Sequence, residues 1–209
     1  REVVARFATS VPWDLAQTRD GYVWAATTGG LVRLDGRRMV MAPELGVPAV
    51  PVRRVEALRD GSLLVATGGG YLGPLSSDGA FVISYREGPG RVLRLRPPWT
   101  EPAEEITGLP SSWAWAFAED DAGRIVVATE AGVCRLRGRG VERCFGPAEG
   151  IVGVASALLP DRDGVWVATA RGLVWLGEGG VTQTTLRVPV WALARGPAGE
   201  ALALTDESI

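Results

Sequence analysis

Six residues have side chains suited to holding a ligand: Trp13, Arg53, Trp113, Trp115, Ser156 and Trp191. Indole faces stack on sugars and flat rings, a guanidinium pairs with an acidic group, and a hydroxyl adds a hydrogen bond. Five of the six share one position. Eight residues before Gly21, Gly61, Gly123, Gly164 and Gly199 stand Trp13, Arg53, Trp115, Ser156 and Trp191, with Trp113 just ahead of Trp115. Two residues further along come Leu15, Val55, Phe117, Leu158 and Leu193, all apolar, which predicts packing between structural units. The first column is chemically mixed, so it is the one that can discriminate a ligand. The competing reading is that its rings fill space between those units.

Other candidate chemistry is weaker. The sequence has no histidine, which removes the commonest general base and metal ligand. The runs "TTGG" and "TGGGYLG" lack the Lys-Ser/Thr of a phosphate loop and lead into strands, so they read as turns. The acidic cluster Glu119, Asp120 and Asp121 sits where a turn recurs and reads as a solvated turn in preference to a calcium site. Cys134 and Cys144 flank "RLRGRGVER". If Gly138-Arg139-Gly140 is the tip of a hairpin, the two cysteines face each other, close enough for a disulfide. Two buried thiols acting as small hydrophobes are the preferred reading. No metal site and no cofactor are expected.

Internal repetition explains where these residues come from. "RDGYVWAATTGGLVRL" from Arg19 recurs as "RDGSLLVATGGGYLGPL" from Arg59, "DAGRIVVATEAGVCRL" from Asp121, "RDGVWVATARGLVWL" from Arg162 and, degenerately, "PAGEALALTDESI" from Pro197. The steps between Thr27, Thr67, Thr129, Thr169 and Thr205 are 40, 62, 40 and 36 residues. A period near 40 built from short strands, with 28 Gly and 14 Pro, predicts blades and excludes helical solenoids. The fold class is therefore all-β, a β-propeller of four-stranded antiparallel blades with about five repeats, the last incomplete. The expected blades cover residues 11–45, 52–100, 111–147, 152–187 and 190–209, with 1–10 completing the last one. The long second step is expected to carry an insertion that includes "LSSDGA" and "PPWTEPAEEITGLP". Within a blade, Asp-Gly makes the first hairpin, Thr-x-x-Gly makes the second turn, and Ala26, Ala66, Ala128 and Ala168 permit close sheet packing. Trp24, Trp166 and Trp175 are expected to be packing residues.

These residues resemble the two-component regulator propeller repeat. "GLPSSWAWAFAEDDAGRIVVATEAGVCRL", Gly108 to Leu136, carries the resemblance most fully; blade two departs from it with Leu64 where Trp is typical, and blade five matches poorly. The resemblance implies a bacterial sensor propeller, outside the cytoplasm in a membrane-anchored protein, ahead of a histidine kinase or diguanylate cyclase domain. It further implies more blades than five. The opening "REVVARF", with no initiator Met or signal pattern, and the ending within a repeat lead us to expect a piece of a larger protein.

The functional expectation is a non-catalytic recognition domain that binds a small molecule, a saccharide first of all, at the end of the propeller where the mixed column lies. The alternatives are a protein–protein interaction scaffold and a propeller lyase or hydrolase. A homodimer is compatible with all three. A net charge of -2 offers nothing to a phosphate backbone, and no apolar run is long enough to span a membrane, so neither nucleic acid nor membrane contact is expected of this segment.

Overall fold

Glycine and threonine punctuate each repeat, and the turns they make decide where strands begin. After the first strand of four repeats, the amide of Gly21, Gly61, Gly123 or Gly199 donates to the carbonyl three residues back. Each of these glycines has φ between 76° and 92°, the left-handed conformation that a three-residue hairpin loop needs. The fourth repeat is one residue shorter. Asp161 there pairs directly with Gly164, so two residues, Arg162 and Asp163, complete the turn. At the next turn Thr27, Thr129 and Thr169 each donate Oγ1–H to the carbonyl of the glycine three residues on and accept the amide between them. All three threonines are buried, as are Ala26, Ala66, Ala128 and Ala168 beside that turn.

The structure is a computed structural model and describes residues 11–36, 38–69, 72–74, 81–83, 87–183 and 186–205. The first sheet has the order β1-β2-β3-β4, with β1 Pro12–Gln17, β2 Val23–Thr27, β3 Gly30–Asp35 and β4 Arg38–Met41. The second contains β5 Val52–Ala57 and β6 Leu63–Gly69. A separate two-stranded hairpin follows, β7 Leu72–Pro74 with β8 Phe81–Ile83. The second sheet resumes with β9 Glu87–Leu95 and β10 Glu104–Glu105, in the order β10-β9-β6-β5. The third is β11 Ala114–Glu119, β12 Ile125–Thr129, β13 Gly132–Arg137 and β14 Gly140–Phe145. The fourth is β15 Ala155–Asp161, β16 Gly164–Thr169, β17 Gly172–Gly177 and β18 Gly180–Gln183; β19 Val190–Arg195 and β20 Ala201–Thr205 form a two-stranded fifth.

Four sheets of four antiparallel strands and an incomplete fifth make this an all-β fold of propeller blades. The expected completion by residues 1–10, the "LSSDGA" stretch at 75–80 and the chain end at 206–209 lie outside the described residues.

The second repeat departs from the ruler. By analogy, its third strand would open at residue 70 and run through "YLGPL". Instead β6 pairs with β9, setting Leu63 against Leu95 and Val65 against Leu93. β7 carries a Pro and a Gly, which make a poor central strand, whereas β9 supplies the buried Val92, Leu93 and Leu95. The Pro-rich segment then joins β9 to β10, and its Trp99 turns inward into the core.

The chain divides into two compact units, Arg1–Glu104 and Glu105–Ile209. Between its two sheets the first unit buries Trp24, Leu31, Val52, Val65, Leu93 and Trp99 among others. The second buries Val126, Val133, Phe145, Ile151, Val167 and Leu176. Within each unit the first strands pack against one another, β1 against β5, β11 against β15, and β15 against β19. That arrangement is expected of strands nearest a propeller axis.

Candidate functional site

The mixed column turns out to have a structural definition. In each of the five repeats the pairing of first and second strands slips by one residue at the same place. The register jumps between Pro12 and Asp14, Val52 and Arg54, Ala114 and Ala116, Ala155 and Ala157, and Val190 and Ala192. The extra residues are Trp13, Arg53, Trp115, Ser156 and Trp191. Each is the unpaired residue of a β-bulge, a device that bends a strand and re-aims one side chain. The flanking partners are regular: Pro12, Val52, Ala114, Ala155 and Val190 each pair with the threonine (Thr27, Thr67, Thr129, Thr169 or Thr205) at the end of the second strand. The five bulges therefore stand at the same end of their sheets as these threonines, which in the first, third and fourth sheets is the end of the Thr-x-x-Gly turn.

In the first unit Arg53 lies over the Trp13 ring, with Cζ 6.0 Å from its centroid, at the outer limit of a cation–π contact. Asp14, next to the bulge, ties the two sheets together. Its Oδ2 accepts the Val55 amide at 3.1 Å and lies 3.6 Å from an Arg54 nitrogen. Trp13 and Arg53 are both half-buried.

In the second unit Trp115 is half-buried and Trp191 is 50% exposed. Trp113 is half-buried just ahead of β11, and its carbonyl accepts the Glu130 amide at the adjoining turn. Ser156 differs in kind. Its hydroxyl donates to the Val190 carbonyl at 2.9 Å, linking the bulge of β15 to the start of β19. Its proton is thus committed to the fold.

The apolar second column is only partly buried. Val55 and Phe117 are buried, and Leu158 and Leu193 are half-buried, but Leu15 is 61% exposed. Val55 packs into the core of the first unit, whereas Leu15 does not. Asp14 and Ala16 face β5, which turns Leu15 to the opposite side of the sheet.

Two further expectations are corrected. The "EDDAG" turn is not solvated at its centre, because Asp120 is only 2% exposed. Its carboxylate accepts the amides of Ala122 and Arg124 and the Arg124 side chain at 2.7 Å, and this hydrogen bond holds the guanidinium pKa above its ordinary value. Among the described residues no group of three acidic or cysteine side chains could hold a metal ion. The cysteines do not remain thiols: Cys134 and Cys144 form a disulfide. The route to that pairing is also new. The turn is the two residues Gly138 and Arg139, since Arg137 pairs with Gly140. A bulge between Arg135 and Leu136 shifts the register by one and so brings Cys134 opposite Cys144.

Trp24 is fully buried, and Trp166 and Trp175 are cross-strand partners with ring centroids 4.8 Å apart. These three act in packing.

Fold and site together define a β-propeller whose blades each present one bulged residue. Comparison with solved structures supports that class. No family model and no curated protein matches the sequence. The chain superposes on the extracellular domain of BT4673 from B. thetaiotaomicron, described once as a one-component and once as a hybrid two-component system, with a TM-score of 0.69 and 15% identity over 97% of its length. It spans 29% of that domain's chain. It also resembles virginiamycin B lyase from Staphylococcus aureus, with a TM-score of 0.66 and 16% identity, covering 93% of this chain and 63% of the lyase. A catalytically inactive form of that lyase has a histidine replaced by alanine. A gluconolactonase from Xanthomonas campestris matches with a TM-score of 0.59 and 14% identity, over 91% of this chain and 68% of its own. At these identities the likeness is one of fold.

Proposed function

We propose that this propeller is a non-catalytic recognition domain in the extracytoplasmic part of a bacterial signalling protein, and that its bulged residues contact the ligand. The observation that carries the reading is the coincidence of two independent facts. The bulge recurs in all five repeats, and the residue placed there varies between Trp, Arg and Ser while the surrounding turn residues hold to one pattern. A position needed only for packing would be filled alike in each blade. Taken unit by unit, the ligand contacts proposed are Trp13 with Arg53 within the first, and Trp113, Trp115 and Trp191 within the second. Ser156 serves as a positioning residue through Val190.

Indole faces, half-buried at Trp13, Trp113 and Trp115 and exposed at Trp191, favour a ligand with flat apolar faces, for which a saccharide is the first choice. The likeness to the BT4673 extracellular domain supports a sensor role. A disulfide supports an oxidising location. Among the described residues no helix is long and apolar enough to cross a membrane. Signalling would pass to a kinase or cyclase domain of the same protein by a shift in its conformational equilibrium on binding.

The lyase and lactonase likenesses favour a second reading, an enzyme. A histidine change accompanies loss of activity in the lyase, and this sequence has no histidine. The recognition role is therefore preferred.

Titration of tryptophan fluorescence with neutral and acidic oligosaccharides tests the proposal. Saturable quenching by one of them, weakened about tenfold or more in Trp115→Ala and Trp191→Ala, supports it. Quenching that is unchanged in both variants removes the bulged column from the site, and turnover of a tested sugar acid, lactone or oligosaccharide replaces the sensor by the enzyme.

A further inference from the structure

We propose a second binding site, for a small organic anion, in the cleft around the Thr169–Gly172 turn of the fourth sheet. The cleft has a volume of about 370 Å³, within the range of small-molecule sites. Arg171 and Arg187 line it, together with the apolar side chains of Val152, Leu173 and Leu186.

The third sheet builds the same corner without arginine, with Glu130 inside the turn and Glu149 accepting the Gly146 amide. There Thr129 Oγ1 accepts the amide of Ala131, as Thr169 Oγ1 accepts that of Arg171. A Cβ added to Gly132 would strike the Phe145 carbonyl and approach the Gly146 Cα, just as one on Gly172 would strike the Leu186 carbonyl and approach the Arg187 Cα. Arg171 and Arg187 thus occupy the places of Ala131 and Gly146. The blade closes its corner with alanine and glycine, so neither arginine is required by the fold.

Both guanidinium-bearing residues are exposed, and among the described residues neither belongs to an ion pair. Two like charges beside one cleft repel each other, and an anion between them relieves that repulsion. Guanidinium forks bind carboxylate and phosphate through paired hydrogen bonds. Val152, 43% exposed, and the half-buried Leu173 and Leu186 give the remainder of the ligand an apolar surface. The class defined is a carboxylate or phosphate carried on a small apolar body. This site shares no residue with the bulged column, so either proposal can fail alone.

Calorimetric titration of the whole chain with phenyl phosphate, benzoate and benzyl alcohol is the test. Phenyl phosphate or benzoate is expected to bind saturably and at least about tenfold tighter than benzyl alcohol. Arg171→Ala and Arg187→Ala should each weaken that binding about tenfold with unchanged thermal melts, while Arg38→Ala, at an exposed arginine of the first sheet, should not. Absence of saturable anion binding at millimolar concentrations overturns the site. So does equal affinity in the wild type and both cleft variants.

Discussion

Trp99 reaches across 79 residues to donate its Nε1–H to Asp20 Oδ2 at 2.7 Å. Its ring stands edge-on to Trp24, with centroids 4.7 Å apart. The other carboxylate oxygen of Asp20 accepts the Thr18 hydroxyl at 2.5 Å, and Thr18 Oγ1 in turn accepts Trp24 Nε1–H at 3.0 Å. Both indole N–H groups are therefore satisfied, directly or through Thr18, by one aspartate at the first hairpin turn. Trp99 holds φ of 68°, a backbone conformation that costs an ordinary L-residue about 1 kcal/mol. Ring burial and the Asp20 bond hold it there.

Trp99→Phe keeps an aromatic ring but leaves Asp20 Oδ2 without that donor. The expected loss is about 1–2 kcal/mol. Trp99→Ala should cost about 3–5 kcal/mol, because the core of the first unit loses a large buried ring. Urea midpoints of the two variants against wild type measure both values. Equal midpoints for wild type and Trp99→Phe would show that the bond contributes nothing.

The Cys134–Cys144 disulfide closes a loop with a sequence separation of 10. Loop-closure entropy for that length predicts a loss of about 2–3 kcal/mol on reduction. Unfolding curves with and without a phosphine reductant should separate accordingly, and the Cys134→Ala/Cys144→Ala double variant should match the reduced protein and ignore the reductant.

Two glycines of the third sheet should respond very differently to alanine. Gly132 has φ of 138°, and an added Cβ would collide with the Phe145 carbonyl, so Gly132→Ala should lose about 2–4 kcal/mol. Gly138, at the hairpin tip with φ of 63°, has nothing within 4 Å of such a Cβ. Only the conformational cost applies to Gly138→Ala, about 1 kcal/mol. Paired thermal melts would expose any inversion of that order.

Acid should destabilise the fold through Asp20, Asp60 and Asp161, all held below the ordinary 3.8. For Asp20 and Asp60 partial burial pushes upward, but hydrogen bonds outweigh it, from Thr18 and Trp99 in one case and from Ser62 and Arg94 in the other. For Asp161 the Arg162 amide is the leading cause. A depressed folded-state pKa means that the unfolded chain binds protons first. The stabilisation is therefore complete above about pH 4 and lost as the pH falls through the folded-state values. Urea midpoints followed from pH 7 to pH 3 should drop at the acid end, and Asp60→Asn should shallow that drop.

The parts of this protein legible in its sequence are those made by contacts a few residues apart. The left-handed glycine of the first hairpin, in repeats one, two, three and five, and the Thr-x-x-Gly turn, in repeats one, three and four, are closed by bonds spanning three or four residues, so the same letters recur along the chain. Counting back from the turn glycine found the mixed column because the bulge lies at a fixed distance from that turn. The count could not show that the column was a bulge, since a slip in register exists only between two strands.

Elsewhere partners distant in sequence decided the outcome. β6 passed over the Gly-rich stretch that follows it and took β9, which supplies three buried aliphatic residues, whereas β7 carries a Pro and a Gly. A bulge in β14 set the disulfide register that a symmetric hairpin had suggested for a different reason. Asp120 looked like one of three solvated acids until the fold closed over it. By itself the sequence determined the blade, its period and its turns, which arise from local backbone geometry. Which strands pair, which charge is buried and where two arginines flank an apolar cleft were decided only in three dimensions. Burial and register depend on what the rest of the chain brings alongside.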